Sequence, residues 1–141
     1  MSPRLRLTIY SDGAARGNPG PAGAGVQILD EAGRVVDESQ RYLGEATNNV
    51  AEYSALLLGL ERAKALGGTA LELRADSELI VKQMRGEYRV RNAALQELCS
   101  RAHALAAGFE SVRYVHVPRE QNRGADRLAN RAIDLEPGPK K

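Results

Sequence analysis

The sequence predicts an α/β fold: a five-stranded mixed sheet, an antiparallel meander joined to parallel strands, flanked by helices. Three observations lead there. The first third carries three segments in which apolar and polar residues alternate, separated by connections short enough to make antiparallel neighbours. The remainder alternates helical with extended patterns, as strand–helix–strand crossovers do. With 141 residues, 43% of them apolar and 27% charged, the chain is of ordinary single-domain size and can bury a real core.

Leu5, Leu7 and Ile9 alternate with Arg4, Arg6 and Thr8, so a first strand covers roughly 4 to 11 with one face buried. Asp12-Gly13 falls where it ends, in a stretch crowded with glycine and proline, and Asp-Gly is a favoured turn pair. A second strand from about Ala22 to Leu29 reaches the turn Asp30-Glu31-Ala32-Gly33, and a third returns through Val35 and Val36 to about Leu43. A helix follows from about Asn49 to Leu66, with Tyr53, Leu56, Leu57 and Leu60 on one face and Gly67-Gly68 as its stop. Leu71, Leu73 and Ala75 alternate in a fourth strand that ends at Asp76. Ser77 to about Met84 is helical, Gly86 interrupts, and Ala93 to Ala107 forms another helix closed by Gly108. Val112, Tyr114 and His116 alternate with Arg113, Val115 and Val117 in a fifth strand, which Pro118 ends. A last helix runs from about Gly124 to Asp134. Residues 1–135 are therefore expected to form one domain, and 136–141 (EPGPKK) a disordered tail.

In such a sheet the first and fourth strands should lie side by side and parallel. Ligands gather beyond the carboxyl ends of strands, where connections diverge, and Asp12 and Asp76 occupy those ends. No apolar run is long enough for a membrane span, and no basic-then-apolar leader opens the chain. The single cysteine, Cys99, cannot form an internal disulfide and reads as a small core residue, which fits a reducing, cytoplasmic setting. Net charge is +2, from 20 basic and 18 acidic residues, too even to identify a nucleic-acid partner. Its distribution is more informative: Arg85, Arg89 and Arg91 share one connector, and Arg119, Arg123, Arg127 and Arg131 recur at four-residue intervals. No amphipathic stripe is left over to require a partner chain, so a monomer is expected.

Four carboxylates stand at element ends: Asp12, Glu52, Asp76 and Asp126. Each has a local explanation. Asn49-x-x-Glu52 resembles a capping box, Asp76 can cap the helix beginning at Ser77, and Asp126 can be an acid in a helical first turn. Jointly these explanations are strained, because the expected topology draws all four toward one sheet edge. Two carboxylates about 4 Å apart repel by about 4 kcal/mol at an effective dielectric near 20, so such a cluster needs protons or cations. Oxygen ligands without a histidine or cysteine cluster point to a hard cation, Mg²⁺ or Mn²⁺. Two such ions about 4 Å apart suit in-line displacement at phosphorus.

Tyr10-Ser-Asp-Gly with GNPGPAGAG, Thr47-Asn-Asn-Val-Ala-Glu-Tyr, Ala75-Asp-Ser and Val117-Pro-Arg-Glu-Gln-Asn-Arg-Gly-Ala-Asp-Arg-Leu-Ala-Asn together resemble type 1 ribonuclease H, in order and over nearly the whole chain. The resemblance implies the ribonuclease H fold and cleavage of the RNA strand of RNA–DNA hybrids with two divalent ions, leaving a 5′-phosphate. It implies Asp12, Glu52, Asp76 and Asp126 as the metal-binding acids and Gly13, Asn18, Asn48 and Asn49 as substrate contacts. Helix capping is an equal alternative for Asn48 and Asn49, and Thr47 and Ser77 are further candidates for phosphate or backbone contacts. Small residues from Gly13 to Ala15 would let backbone approach a 2′-hydroxyl, the group that distinguishes RNA from DNA.

Two departures stand out. Many family members carry a loop histidine before the last acid. His116, ten residues ahead of Asp126, is one match by count, but it falls inside the alternating strand pattern and reads rather as a strand residue, with Arg119 or Glu120 taking part of the loop's role. His103 reads as an ordinary helix residue. The lysine- and tryptophan-rich insertion of some members is replaced by a short MRGEYRVRN, leaving hybrid affinity weaker or carried by Arg85, Arg89 and Arg91, for which a solvated connector is an equal alternative.

Overall fold

The computed structural model describes residues 4–135; the expected tail at 136–141 lies outside the described residues. The elements are β1 (Arg6–Ala15), β2 (Gly20–Leu29), β3 (Val35–Ala46), α1 (Asn48–Ala65), β4 (Ala70–Ala75), α2 (Glu78–Met84), α3 (Ala93–Ala106), β5 (Ser111–His116) and α4 (Arg123–Asp134), with a short 3₁₀ turn at Arg119–Gln121. Their order is the one expected. The sheet runs β3-β2-β1-β4-β5, antiparallel across β3-β2-β1 and parallel across β1-β4-β5.

Period-two patterning decides which side chains meet. Leu7 and Ile9 of β1 and Leu71 and Leu73 of β4 turn to one face, where α1 covers them with Tyr53, Leu56 and Leu60. Burying each such side chain contributes about 1.5–3 kcal/mol. α3 packs on α1 and adds Leu95, Cys99 and Ala102 to the same core. Cys99 is buried, with Sγ 3.8 Å from Met84 Sδ, in keeping with its reading as a core residue. On the opposite face α4 lays Ala125, Ala129 and Ala132 against β1, β2 and β3.

The first strand is longer than its alternating pattern indicated. β1 continues through Asp12 and Gly13 to Ala15, and Asp12-Gly13 forms no turn: Asp12 pairs with Gly25 and Gly13 with Ala24. Long-range packing overrides the turn preference of the dipeptide. A Cβ on Gly13 would collide with the Ala51 carbonyl and the Glu52 amide, so α1 rests directly on β1 at this point because residue 13 has no side chain.

Candidate active site

β1 pairs with β4 only from Arg6↔Ala70 to Tyr10↔Arg74; beyond that the two strands part. Asp12 lies on β1 just past the divergence, and Asp76 directly follows β4. Glu52 approaches from α1. One oxygen from each of Asp12, Glu52 and Asp76 lies within 4.8 Å of the other two. These carboxylates share a cleft of about 420 Å³ with Gly13, Ala14, Ala15, Asn48, Asn49, Ser77, Arg119 and Asp126. Asp126, exposed in the first turn of α4, stands outside the three-membered cluster but lines the same cleft as Asp12.

The local explanations for Glu52 and Asp76 do not survive. The N-cap of α1 is Thr47, whose Oγ1 accepts from Val50 N at 3.2 Å, so Glu52 lies beyond the capping-box position. The cap of α2 is Ser77, whose Oγ accepts from Ile80 N at 3.3 Å, leaving Asp76 outside the helix. Each cap contributes about 1 kcal/mol, and neither uses an acid.

Electrostatics carries the signature of crowding. Burial pushes the Asp12 carboxyl well above the usual carboxylate range, and the neighbouring Glu52, Asp76 and Asp126 carboxyls push it further. Glu52 is raised as well, by burial first and then by Asp76; the Gly13 backbone N–H and the nearby Arg119 guanidinium act the other way. A pair of charges at this spacing repels by roughly 3 kcal/mol at an effective dielectric near 20. Such oxygens, gathered in an open cleft without imidazole or thiolate, form a donor set that fits a hard divalent cation.

The expected substrate residues divide between two surfaces. Gly13, Asn48 and Asn49 line the acid cleft. Asn18 lies in the β1–β2 connection, where its Oδ1 accepts from Asn48 N at 3.0 Å and ties that turn to the start of α1. With Thr47, Asn48, Asn49 and Asn92 it lines an adjoining groove of about 540 Å³. His116 ends β5, opposite Ala75, and does not line the acid cleft; His103 is exposed on α3. Arg119 does line it, and also forms a second cleft of about 590 Å³ with Glu120, Arg123 and Arg127. In the other arginine group, Arg85 is tied to the sheet edge by donating to the Tyr114 carbonyl at 2.9 Å, while Arg89 and Arg91 are exposed.

Sequence reasoning passed over Asn122, which is 1% exposed. Its Nδ2 donates to the Ser11 carbonyl and to Asp76 Oδ2, both at 2.9 Å. Its place directly before a helix makes it look like a cap, but the side chain caps nothing. The only local signal was an asparagine in the break between Pro118 and α4.

Comparison with known proteins agrees with this architecture. The reverse transcriptase-like family matches residues 10–132. The chain is 45% identical over 131 residues to the bifunctional protein Rv2228c of Mycobacterium tuberculosis, covering 92% of this chain and 36% of that protein. It is 44% identical over 129 residues to ribonuclease HI of Halobacterium salinarum, covering 92% of this chain and 65% of that protein. The crystal structure of the Halobacterium salinarum RNase H1 superposes with a TM-score of 0.91 over 93% of this chain and 99% of that one. LC11-RNase H1, a 47% identical protein whose structure is of a complex with an RNA/DNA hybrid, superposes with a TM-score of 0.87 over 91% of this chain and 96% of that one. The chain thus spans about a third of the mycobacterial relative and 65% of the haloarchaeal one. Family match, sequence identity and superposed fold coincide over the same residues, and the chain belongs to the type 1 ribonuclease H family.

Proposed function

We propose that this protein is an endoribonuclease that hydrolyses the RNA strand of RNA–DNA hybrids by two-metal-ion catalysis and leaves 5′-phosphate ends. The observation that carries the reading is the convergence of Asp12, Glu52 and Asp76 within 4.8 Å, at the point where β1 and β4 part. Asp12, Glu52, Asp76 and Asp126 would hold the ions, Mg²⁺ in the first instance and Mn²⁺ as an alternative. When bound, such ions activate an attacking water and stabilise the leaving oxygen at phosphorus.

The chain's own residues hold and orient. Gly13, lacking a side chain, keeps α1 close to β1 and so holds Glu52 near Asp12. The small side chains of Gly13, Ala14 and Ala15 leave space along one wall of the cleft for a ribose edge. Asn48 and Asn49 present amides there, and Asn18 extends the polar surface into the neighbouring groove. Arg119 offers a cation to the phosphate backbone next to the acids. Among the described residues no helix is long and apolar enough to cross a membrane. We place the enzyme in the cytoplasm, acting as a monomer.

The test is cleavage of an end-labelled hybrid in Mg²⁺ or Mn²⁺, beside double-stranded RNA and DNA duplexes. The wild-type chain should cut the hybrid's RNA strand, and Asp76→Asn should abolish cutting while the circular dichroism spectrum stays unchanged. Hybrid binding without cleavage by the wild-type chain would reduce it to a binding module.

A further inference from the structure

Asn122 commits its whole donor capacity to one task. Its two amide N–H bonds go to two acceptors, the Ser11 carbonyl and Asp76 Oδ2, each at 2.9 Å. Flipping the amide would set its oxygen against both acceptors, so its orientation is determined. The consequence is that Asn122 Oδ1, buried, has no partner. A buried orphan acceptor disfavours folding, and its presence beside a functional cluster calls for an explanation. The position would also suit a helix cap, and the side chain makes no such bond.

The geometry of the sheet supplies the reason. After Tyr10↔Arg74 no ladder hydrogen bond links β1 to β4, so the backbone alone does not fix Asp76 relative to Asp12. Ser11 is the neighbour of Asp12 in β1. One amide therefore spans the opening between the strands, fastening the backbone beside Asp12 to the carboxylate of Asp76. By engaging Oδ2 it also restrains rotation of that carboxyl group. We propose that Asn122 is a positioning residue for Asp76, setting the separation of the acids that receive the divalent cation. The proposal rests on the metal-site reading above.

Asn122→Leu and Asn122→Ala test it. The leucine is close in shape, removes both donors and also removes the orphan oxygen. Two quantities are measured: the Mg²⁺-dependent rise in melting temperature without nucleic acid, and kcat and KM for hybrid cleavage across a Mg²⁺ titration. Loss of an orienting partner behind a metal ligand typically weakens metal affinity 10–100-fold. The expected result is a Mg²⁺ midpoint raised at least about 10-fold in both assays, with kcat reduced and KM for the hybrid unchanged. A variant that melts earlier without metal but keeps the wild-type Mg²⁺ midpoint and kcat overturns the proposal, as does failure of both variants to fold, since either outcome makes Asn122 merely structural. Absence of any Mg²⁺ response in the wild-type protein would instead sink the metal-site reading, and this proposal with it.

Discussion

Asp12 and Gly25 are directly paired across the β1–β2 ladder, and where Asp12 carries its carboxylate, Gly25 carries nothing. A Cβ on Gly25 would strike the Ala125 carbonyl and the Ala129 amide of α4. Residues paired in this way face the same side of the sheet. The missing side chain therefore lets α4 settle onto the sheet beside Asp12, and α4 carries Asp126 to the cleft that Asp12 lines. The placement of Asp126 depends on a glycine that does not itself line the cleft.

Gly25→Ala should consequently do more damage than one methyl group suggests. The obstruction is backbone and cannot rotate away, so α4 must move. Overpacking of this kind costs about 1–3 kcal/mol, occasionally more. We expect a lowered denaturant midpoint in urea and a loss of hybrid cleavage greater than the fraction unfolded accounts for. Wild-type activity in a destabilised variant would show that the seat of α4 does not set the geometry of Asp126.

The crowded acids predict an inverted pH dependence of stability in metal-free protein. Asp12 and Glu52 titrate higher folded than unfolded, because burial and neighbouring charges resist ionisation. Groups raised in this way contribute stability that is fully present below the unfolded carboxylate value of about 4 and lost as pH rises through the folded value. Asp12→Asn removes one charge at constant shape. It should melt about 2–6 °C higher than wild type near pH 8, a gain of roughly 1 kcal/mol or slightly more, shrinking toward about pH 5. It should also be inactive. Saturating Mg²⁺ should close the gap by stabilising wild type, by about 2.7 kcal/mol at a hundred times the dissociation constant. Calorimetry with and without chelator reads each of these effects.

Arg119 should act on binding. It is exposed, borders both the acid cleft and the neighbouring arginine-lined cleft, and its charge is felt at Glu52. Each phosphate contact contributes close to one unit to the slope of log affinity against log salt. Arg119→Ala should weaken hybrid binding and lower that slope by about 1, with Arg119→Lys recovering most of it. Fluorescence anisotropy in Ca²⁺ across a salt series measures it. An unchanged slope would assign the arginine to the protein surface alone.

Much of the candidate site was legible in the sequence, in that all four acids singled out there line one cleft. Asp12, Glu52, Asp76 and Asp126 stood at predicted element ends, and the expected topology gathered those ends. The caps were harder to assign. Thr47, Asn48 and Asn49 are all acceptable at a helix start, and only the bond from Val50 N to Thr47 Oγ1 singles out the first. Asn122 gave no signal of its role, because its two partners lie 111 and 46 residues away in sequence.

By itself the sequence determined the order of strands and helices and the acidic character of the candidate site. Those properties follow from periodicity, breakers and residue chemistry, which are local. Only the tertiary structure decided that β1 runs on through Asp12-Gly13, that α1 and α4 touch the sheet at Gly13 and Gly25, and that Asn122 spans the parting strands. Those outcomes depend on backbone surfaces from distant segments meeting at close range, where excluded volume and unpaired donors outweigh the preferences of any one dipeptide.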